Sequence, residues 1–224
     1  MYRISAIAAA VGLAAGLAWA ADEAAKGQDE WKPLFNGKDL SGWQNAGGAE
    51  PGAGWVVEDG AMVRKQKAGD IWTKDRFGDF VLDLEVKTQG NSGIFIRTDN
   101  PKDCVQTGIE IQVERRGGPG SKHGLAAVYD LLAPSKEVGD KAGAEPTWHR
   151  VTITCKDNVL RVAVDGEQVV DMDLNQWTEG NKNPDGSKNK FRTALKDFKR
   201  EGHIGFQDHG AAVMYRNVRI RPTK

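Results

Sequence analysis

The sequence is short of cysteine, of charge of one sign and of long apolar runs, and each shortage excludes a class of protein. Two cysteines, Cys104 and Cys155, are too few for a cysteine-rich zinc module. Basic and acidic side chains both number 31, so the chain has no excess of the positive charge that nucleic-acid-binding domains use. After the first twenty residues no apolar run is long enough to cross a bilayer. We therefore expect neither a nucleic-acid partner nor stable membrane insertion.

The N-terminal segment differs from the polar remainder of the chain. Arg3 is its only charge, an apolar run follows, and Ala18-Trp19-Ala20 fits the small-x-small pattern of a cleavage site. The run is rich in Ala and Gly and has no stop-transfer flank, which favours a signal peptide over a membrane anchor. We predict a signal peptide at 1–20, a linker at 21–30 and a single domain at 31–222. The expected location of the mature protein is the periplasm or the outside of the cell.

Export to an oxidising compartment would allow Cys104 and Cys155 to form a disulfide bond. However, Cys155 shares an alternating face with Val151 and Ile153, where a buried thiol acts as a small hydrophobic side chain. Both alternatives stay open from the sequence, and the pattern favours unpaired thiols.

Hydrophobic side chains recur at every second position, which indicates half-buried β-strands. The alternation runs through 80–86, 109–113, 151–155 and 160–164. Asp157-Asn158 and Asp165-Gly166 stand between the later runs, where hairpin turns are needed. The lysine-rich segment 182–199 predicts a largely solvated loop, within which 189–199 has a helical pattern. Many strands in one domain without an internal repeat predict an all-β fold, an antiparallel two-sheet β-sandwich of jelly-roll type.

Strand parity sorts polar side chains onto one sheet face. If the isoleucines at 94–96 and 109–111 point into the core, the residues that alternate with them point outwards. This predicts a polar face with Arg97, Glu110, Gln112, Glu114, Tyr129 and Gln207. Gly93 and Gly205 would leave room on it for a sugar ring. Near the C-terminus, the parity of Val213 differs from that of Val218, which predicts a β-bulge between them.

Four segments resemble the sequence blocks of the 3-keto-disaccharide hydrolase family, within the concanavalin A-like lectin and glucanase superfamily. They are LFNGKDLSGW at 34–43, NSGIFIR at 91–97, GIEIQV at 108–113 and GFQDHGAAVMYRNVRI at 205–220. The chain departs from the family pattern at Trp148-His149 and Asp165-Gly166. The resemblance implies a concanavalin-like sandwich and hydrolysis of glycosides whose sugar is oxidised to a ketone at carbon 3, so a carbohydrate is the expected partner.

The chemistry that the resemblance implies is an elimination followed by hydration. A ketone at carbon 3 acidifies the hydrogen on carbon 2, so a base there could expel the substituent at carbon 1. A positive group or a metal would stabilise the charge that develops on the carbonyl oxygen. We predict Glu110 or His209 as the base and Arg97 as the positive group. The expected substrate-binding residues are Asn91, Gln112, Tyr129, Gln207, Asp208 and, in a glycine-flanked loop, Trp72.

Several of these residues have simpler interpretations. Arg97 and Glu110 could form a cross-strand ion pair on a solvated face, and the segment around Asp208 could be an ordinary hairpin turn. Glu110, Asp208 and His209 are also ligand types of a divalent metal, but no metal-binding spacing is present, so a cofactor stays open.

Two other functions compete with the first. Glu110 and Glu114 resemble the carboxylate pair on one strand of retaining β-glucanases. Four residues of strand separate their Cα atoms by about 13 Å, whereas retention needs carboxyl groups about 5.5 Å apart. A non-catalytic carbohydrate-binding module is the other alternative, since a sandwich whose polar face only hydrogen-bonds sugars would have the same pattern.

Overall fold

The structure is a computed structural model that describes residues 31–223. The chain divides into a first unit, Met1–Lys32, and a compact unit, Pro33–Lys224, which carries the fold. The signal peptide and linker predicted at 1–30 lie outside the described residues. No helix in the described part is long and apolar enough to cross a membrane.

The described residues contain fifteen strands of two to ten residues. They are β1 (Lys32–Pro33), β2 (Trp43–Asn45), β3 (Trp55–Glu58), β4 (Ala61–Arg64), β5 (Ile71–Thr73), β6 (Phe80–Thr88), β7 (Ser92–Thr98), β8 (Ile109–Val113), β9 (Arg116–Gly117), β10 (Val138–Gly139), β11 (His149–Lys156), β12 (Val159–Val164), β13 (Glu167–Asp173), β14 (His203–Phe206) and β15 (Val213–Pro222). One turn of α-helix, α1, spans Cys104–Thr107, and 3₁₀ turns span Pro101–Asp103, Leu174–Gln176 and Leu195–Asp197.

Two antiparallel sheets make up the sandwich. In sheet A, seven of the eight strands follow the order β13-β12-β11-β6-β15-β4-β3, and sheet B has the order β2-β5-β14-β7-β8. Alternate apolar side chains of both sheets join one hydrophobic core. The ring of Phe206 in sheet B stacks on that of Tyr215 in sheet A, with centroids 3.9 Å apart. The prediction of an all-β, two-sheet sandwich is confirmed.

The two predicted hairpins are present in sheet A. Asp157 lies in the two-residue turn between β11 and β12, and Asp165-Gly166 joins β12 to β13. Asp165 and Gly166 both have positive φ, 51° and 87°. This is the combination that a type I′ turn requires, and its twist matches that of the strands.

The predicted bulge lies in β15. The register against β6 shifts between Arg216 and Arg219, and Asn217 has a φ of 54°. The extra residue reverses the parity of the strand, so that Val213 before it and Val218 after it are both buried.

The segment 182–199 is an irregular loop in which most residues are exposed, as expected, but it also contributes to the core. Phe191, Leu195 and Phe198 are buried in the core, and the only helical turn there is the short 3₁₀ segment Leu195–Asp197. The buried amide of Asn183 organises the segment, because it accepts a hydrogen bond from Trp177 Nε1 at 2.8 Å and donates to backbone carbonyls. Local charge did not reveal these long-range contacts.

Both cysteines are unpaired. Cys155 is 1% exposed in the core, as expected for a thiol that acts as a hydrophobic side chain, and Cys104 is partly exposed in α1.

Candidate active site on the outer face of sheet B

The outer face of sheet B carries polar side chains because its strands are aligned in register. The pairing places Trp72, Gly205, Phe95 and Glu110 side by side across β5, β14, β7 and β8. The next row, Ile71, Phe206, Ile94 and Ile111, points into the core. Since strand side chains alternate, the row after it faces outwards again and contains Gly93 and Gln112.

Glu110 lies at the centre of this face. Its side chain crosses Gly93 so closely that a methyl group there would come within 2.5 Å of Glu110 Oε1. The residue is only 5% exposed, and Lys190 Nζ lies 3.6 Å from Oε2. Lys190 also packs on Tyr129, with Nζ 3.7 Å from the ring centroid. The site is thus a buried carboxylate with one ammonium group and one aromatic ring beside it.

The environment shifts the pKa values of both charged groups towards the neutral forms. Burial raises the pKa of Glu110, and the nearby charge of Lys190 opposes this shift. Burial likewise lowers the pKa of Lys190, opposed by the charge of Glu110. A carboxylate that is poorly solvated accepts a proton more readily than one in water, so Glu110 is suited to act as a base.

Lys190 was not among the predicted site residues. Its backbone is held on both sides, because its N–H donates to Asp130 Oδ2 at 2.7 Å and its carbonyl accepts from Gln106 Nε2 at 2.9 Å. No local pattern in a lysine-rich segment distinguishes this lysine from its neighbours. Tertiary contacts alone bring it to Glu110.

Three buried polar atoms near Glu110 have no hydrogen-bond partner among the described residues. They are Gln112 Oε1, Gln207 Oε1 and Trp72 Nε1. Asn91 Oδ1 accepts from Gln112 Nε2 at 3.1 Å, and Gln207 N donates to the Gly93 carbonyl at 2.9 Å. A buried polar group without a partner costs about 1–3 kcal/mol. The two amide oxygens would be satisfied by a ligand with hydroxyl groups.

Trp72 lies in β5 rather than in a loop, and it is fully buried. Its indole packs on Phe95, with ring centroids 5.2 Å apart, and covers Gly205. The expectation that Trp72 stacks on a sugar is therefore wrong. The space that Gly93 and Gly205 leave open is filled by the side chains of Glu110 and Trp72, and not left free for a ring of the substrate.

Asp208 has a structural role in place of the expected substrate contact. Its carboxylate accepts from Arg64 Nε at 2.6 Å and from the N–H groups of Ala68 at 2.6 Å and Gly69 at 2.9 Å, and its side chain is 3% exposed. Burial would raise the pKa of Asp208, but these hydrogen bonds lower it below its ordinary value. The carboxylate thus fastens the turn at 208–210 to the segment that leads into β5.

Two further titratable residues, His209 and Asp70, lie near Glu110. His209 is exposed, and its charge acts on the carboxyl groups of Glu110 and Asp70. Asp70, which sequence reasoning missed, accepts from Asp208 N at 2.9 Å through Oδ1. Burial raises the pKa of Asp70. The alternation of side chains could have identified Asp70 from the sequence, because residues two positions apart along an extended chain, such as Asp70 and Trp72, share a face.

Arg97 does not join these residues. Its backbone has a φ of 49°, which turns the side chain away from the alternation that parity assumed. The guanidinium donates to the Gly78 carbonyl at 3.0 Å, to the Asp157 carbonyl at 2.7 Å and to Asp79 at 2.7 Å, and Arg97 is 2% exposed. Neither the predicted contact with a carbonyl substrate nor the alternative ion pair with Glu110 is present. Lys190 is the cation that the structure places beside Glu110.

Glu110, Asp208 and His209, whose side chains are of metal-binding types, do not form a metal-binding group among residues 31–223. The Asp208 carboxylate is already occupied by Arg64 and two backbone N–H groups. Among residues 31–223, no group of three His, Cys, Asp or Glu side chains is arranged to hold a metal ion.

Comparison with known proteins gives the family. Residues 30–221 match the model of the 3-keto-alpha-glucoside-1,2-lyase-like domain. A curated relative from Bacteroides thetaiotaomicron is named 3-keto-disaccharide hydrolase. It is 27% identical in an alignment of 230 residues, gaps included, that covers 86% of this chain and 78% of the relative.

Similar solved structures support the same family and fold. A structure from Parabacteroides distasonis that carries the description glycosyl hydrolase is 32% identical, with a TM-score of 0.73 over 86% of this chain and 99% of that chain. A Bacillus subtilis protein with a galectin-like fold, 11% identical with a TM-score of 0.52 over 86% of this chain and 94% of that chain, shares the fold alone. The predicted family is confirmed, and with it a glycoside hydrolase-like enzyme. The chain belongs to the 3-keto-alpha-glucoside-1,2-lyase-like family.

Proposed function

We propose that this protein is an exported hydrolase, periplasmic or secreted, that cleaves the glycosidic bond of 3-keto-glycosides and 3-keto-disaccharides by elimination and hydration. The name of the Bacteroides relative supports the substrate class. The apolar segment at 1–20 with its cleavage pattern supports export.

The observation that carries the proposal is the pair of the buried Glu110 and the half-buried Lys190, 3.6 Å apart. Elimination from a 3-keto sugar needs a base at carbon 2 and positive charge at the adjacent carbonyl oxygen, and this pair supplies both within one site. Glu110 removes the proton from carbon 2. Lys190 stabilises the enolate that forms at the carbonyl oxygen. One preorganised donor of this kind contributes about 3–4 kcal/mol.

The surrounding groups fit a polyhydroxylated ligand. Gln112 and Gln207 present unpartnered carbonyl oxygens that accept hydrogen bonds from sugar hydroxyls, and Asn91 fixes the amide of Gln112. His209 lies at the exposed side of the site, where it contacts the sugar or the departing group.

The glucanase alternative fits this geometry less well. Glu114 lies beyond the end of β8 and accepts from the backbone N–H of Arg115 at 3.0 Å, whereas Glu110 reaches over Gly93 towards Lys190. Glu110 and Glu114 therefore do not face each other as the two carboxyl groups of a retaining glycosidase must.

The test compares oxidised and unoxidised substrates. The mature protein is incubated with 3-keto-glucosides, with the matching glucosides and with β-glucans, in the presence and absence of chelator. Release of 3-keto-glucose from the oxidised substrates alone is the expected result. Turnover of β-glucans would establish the glucanase alternative, and binding to a glycan without turnover would establish a carbohydrate-binding module.

Variants connect the activity to the site. Glu110→Gln and His209→Ala should each abolish turnover while the melting temperature stays nearly unchanged. Glu114→Gln, at the residue just after the same strand, is the matched control and should keep its activity. A large loss of stability with little loss of rate in the first two variants would contradict the assigned roles.

A further inference from the structure

Asp70 occupies a defined position in the outward-facing row of sheet B. The β5–β14 pairing aligns Trp72 with Gly205 and Ile71 with Phe206, and continuing it sets Asp70 opposite Gln207. The hydrogen bond from Asp208 N to Asp70 Oδ1, at 2.9 Å, fixes this arrangement beyond the end of the strand. Asp70 therefore points to the same side as Glu110.

The two carboxyl groups face each other across β14. Gln207 N donates to the Gly93 carbonyl, and the Glu110 side chain lies over Gly93. Since neighbouring strands are about 4.8 Å apart, the backbones at Asp70 and Gly93 are separated by roughly 10 Å. The Glu110 carboxylate lies over Gly93 on one side, and the Asp70 carboxylate, held by Asp208 N, lies on the other, close enough for their charges to interact.

Unpartnered polar groups lie beside the two carboxyl groups. Gln207 Oε1 is buried without a partner between the two carboxyl groups, and Gln112, 1% exposed, presents a second such oxygen beside Glu110. Both oxygens are able to accept hydrogen bonds from a ligand with hydroxyl groups.

The surroundings of Asp70 raise its pKa, although the hydrogen bonds from Asp208 N and Cys104 oppose the shift. Burial raises its pKa, and the charge of Asp208 adds to the effect. Oδ1 is held by a backbone N–H, which leaves Oδ2 to carry the proton. Cys104 Sγ, 3.9 Å from Oδ2, is a neutral neighbour because burial raises the pKa of its thiol to about 11.

We propose that Asp70 is the acid that protonates the departing glycosidic oxygen. The role rests on the proposed function, in which Glu110 takes the proton from carbon 2. As the carbon 1–oxygen bond breaks and the carbon 1–carbon 2 double bond forms, the Asp70 proton passes to the leaving oxygen. In the hydration step Asp70 accepts a proton from water, the hydroxide adds to carbon 1, and Glu110 returns its proton to carbon 2.

Leaving-group dependence tests this role. Wild type, Asp70→Asn and the control Glu114→Gln are assayed on a 3-keto-disaccharide, whose alkoxide leaves poorly, and on 4-nitrophenyl 3-keto-glucoside, whose phenolate needs no acid. Asp70→Asn should lower kcat on the disaccharide by about 10²- to 10³-fold. The loss on the nitrophenyl substrate should be much smaller, less than about tenfold. Asp70→Glu, which keeps the carboxyl group, should recover part of the disaccharide activity.

The outcomes separate this role from the proposed function. An equal loss on both substrates, or no loss on either, would overturn the role of Asp70 while the function stands. If wild type releases nothing from either oxidised substrate, the proposed function itself fails. Circular dichroism of each variant, compared with Glu114→Gln, shows whether a loss reflects unfolding.

Discussion

Gly93 controls the position of the Glu110 carboxylate, so Gly93→Ala tests the site with the smallest change that the chain offers. The new methyl group would lie 2.5 Å from Glu110 Oε1 and 2.9 Å from its Cγ, whereas ordinary van der Waals contact begins at 3.4 Å. The carboxylate must therefore move by about 1 Å, the order of displacement that costs roughly 100-fold in rate. This loss in kcat/KM corresponds to about 2.7 kcal/mol of transition-state stabilisation.

Stability should hardly change in the same variant. Moving a flexible side chain off its preferred rotamer costs about 0.5–1.5 kcal/mol, and replacing glycine with alanine recovers about 0.4–1 kcal/mol from the unfolded state. The free energy of unfolding, measured with urea, should therefore stay within about 1 kcal/mol of wild type.

Two further glycines provide the comparison. Gly78→Ala places a methyl group 3.7 Å from the nearest atom, the Arg200 carbonyl oxygen, and should leave the rate unchanged while adding at most about 0.4–1 kcal/mol to stability. Gly205→Ala would come within 2.4 Å of the Trp72 ring, which cannot rotate away, so this variant should lose stability instead. Wild-type kcat/KM in a folded Gly93→Ala protein would refute the claim that the position of Glu110 matters.

Two other predictions concern the cations. Burial raises the pKa of Glu110 and the charge of Lys190 lowers it, so Lys190→Met should raise it further. In the pH profile of kcat/KM, the acid limb should then move to higher pH. Lys188→Met is the control and should leave the limb in place. An unmoved limb in Lys190→Met would contradict the pairing of Lys190 with Glu110. Arg97→Met leaves buried carbonyl groups without donors and should cost about 3 kcal/mol in urea denaturation, with kcat per folded molecule unchanged. Exposed Arg192→Met should show no such loss, and a reduced kcat in Arg97→Met would restore its predicted catalytic role.

Much of the fold follows from local sequence. The period of two in 80–86 and 109–113 predicts strands, and Asp165-Gly166 predicts the turn between β12 and β13, because these features depend on neighbouring residues only. The bulge near Asn217 is also readable from the sequence, since an extra residue shifts the buried positions from one parity to the other.

The site was predictable only where strands stay regular. Glu110 and Gln112 lie on the outer face that alternation gives them, within a strand without register shifts. Arg97 departs from alternation because its backbone is left-handed. Asp208 faces Arg64 and the N–H groups of 68 and 69, which are distant in sequence, so no local pattern distinguishes its structural role from substrate binding.

An antiparallel sandwich with a polar outer face on one sheet is predictable from local sequence, because side-chain direction in a strand alternates residue by residue. Which charges meet on that face depends on long-range packing. Lys190 reaches Glu110 through a segment held by Asp130 and Gln106, and Asp70 is held opposite Gln207 by the backbone of Asp208. These contacts join residues that are far apart in the chain, and their positions depend on how the loops pack against the sheet.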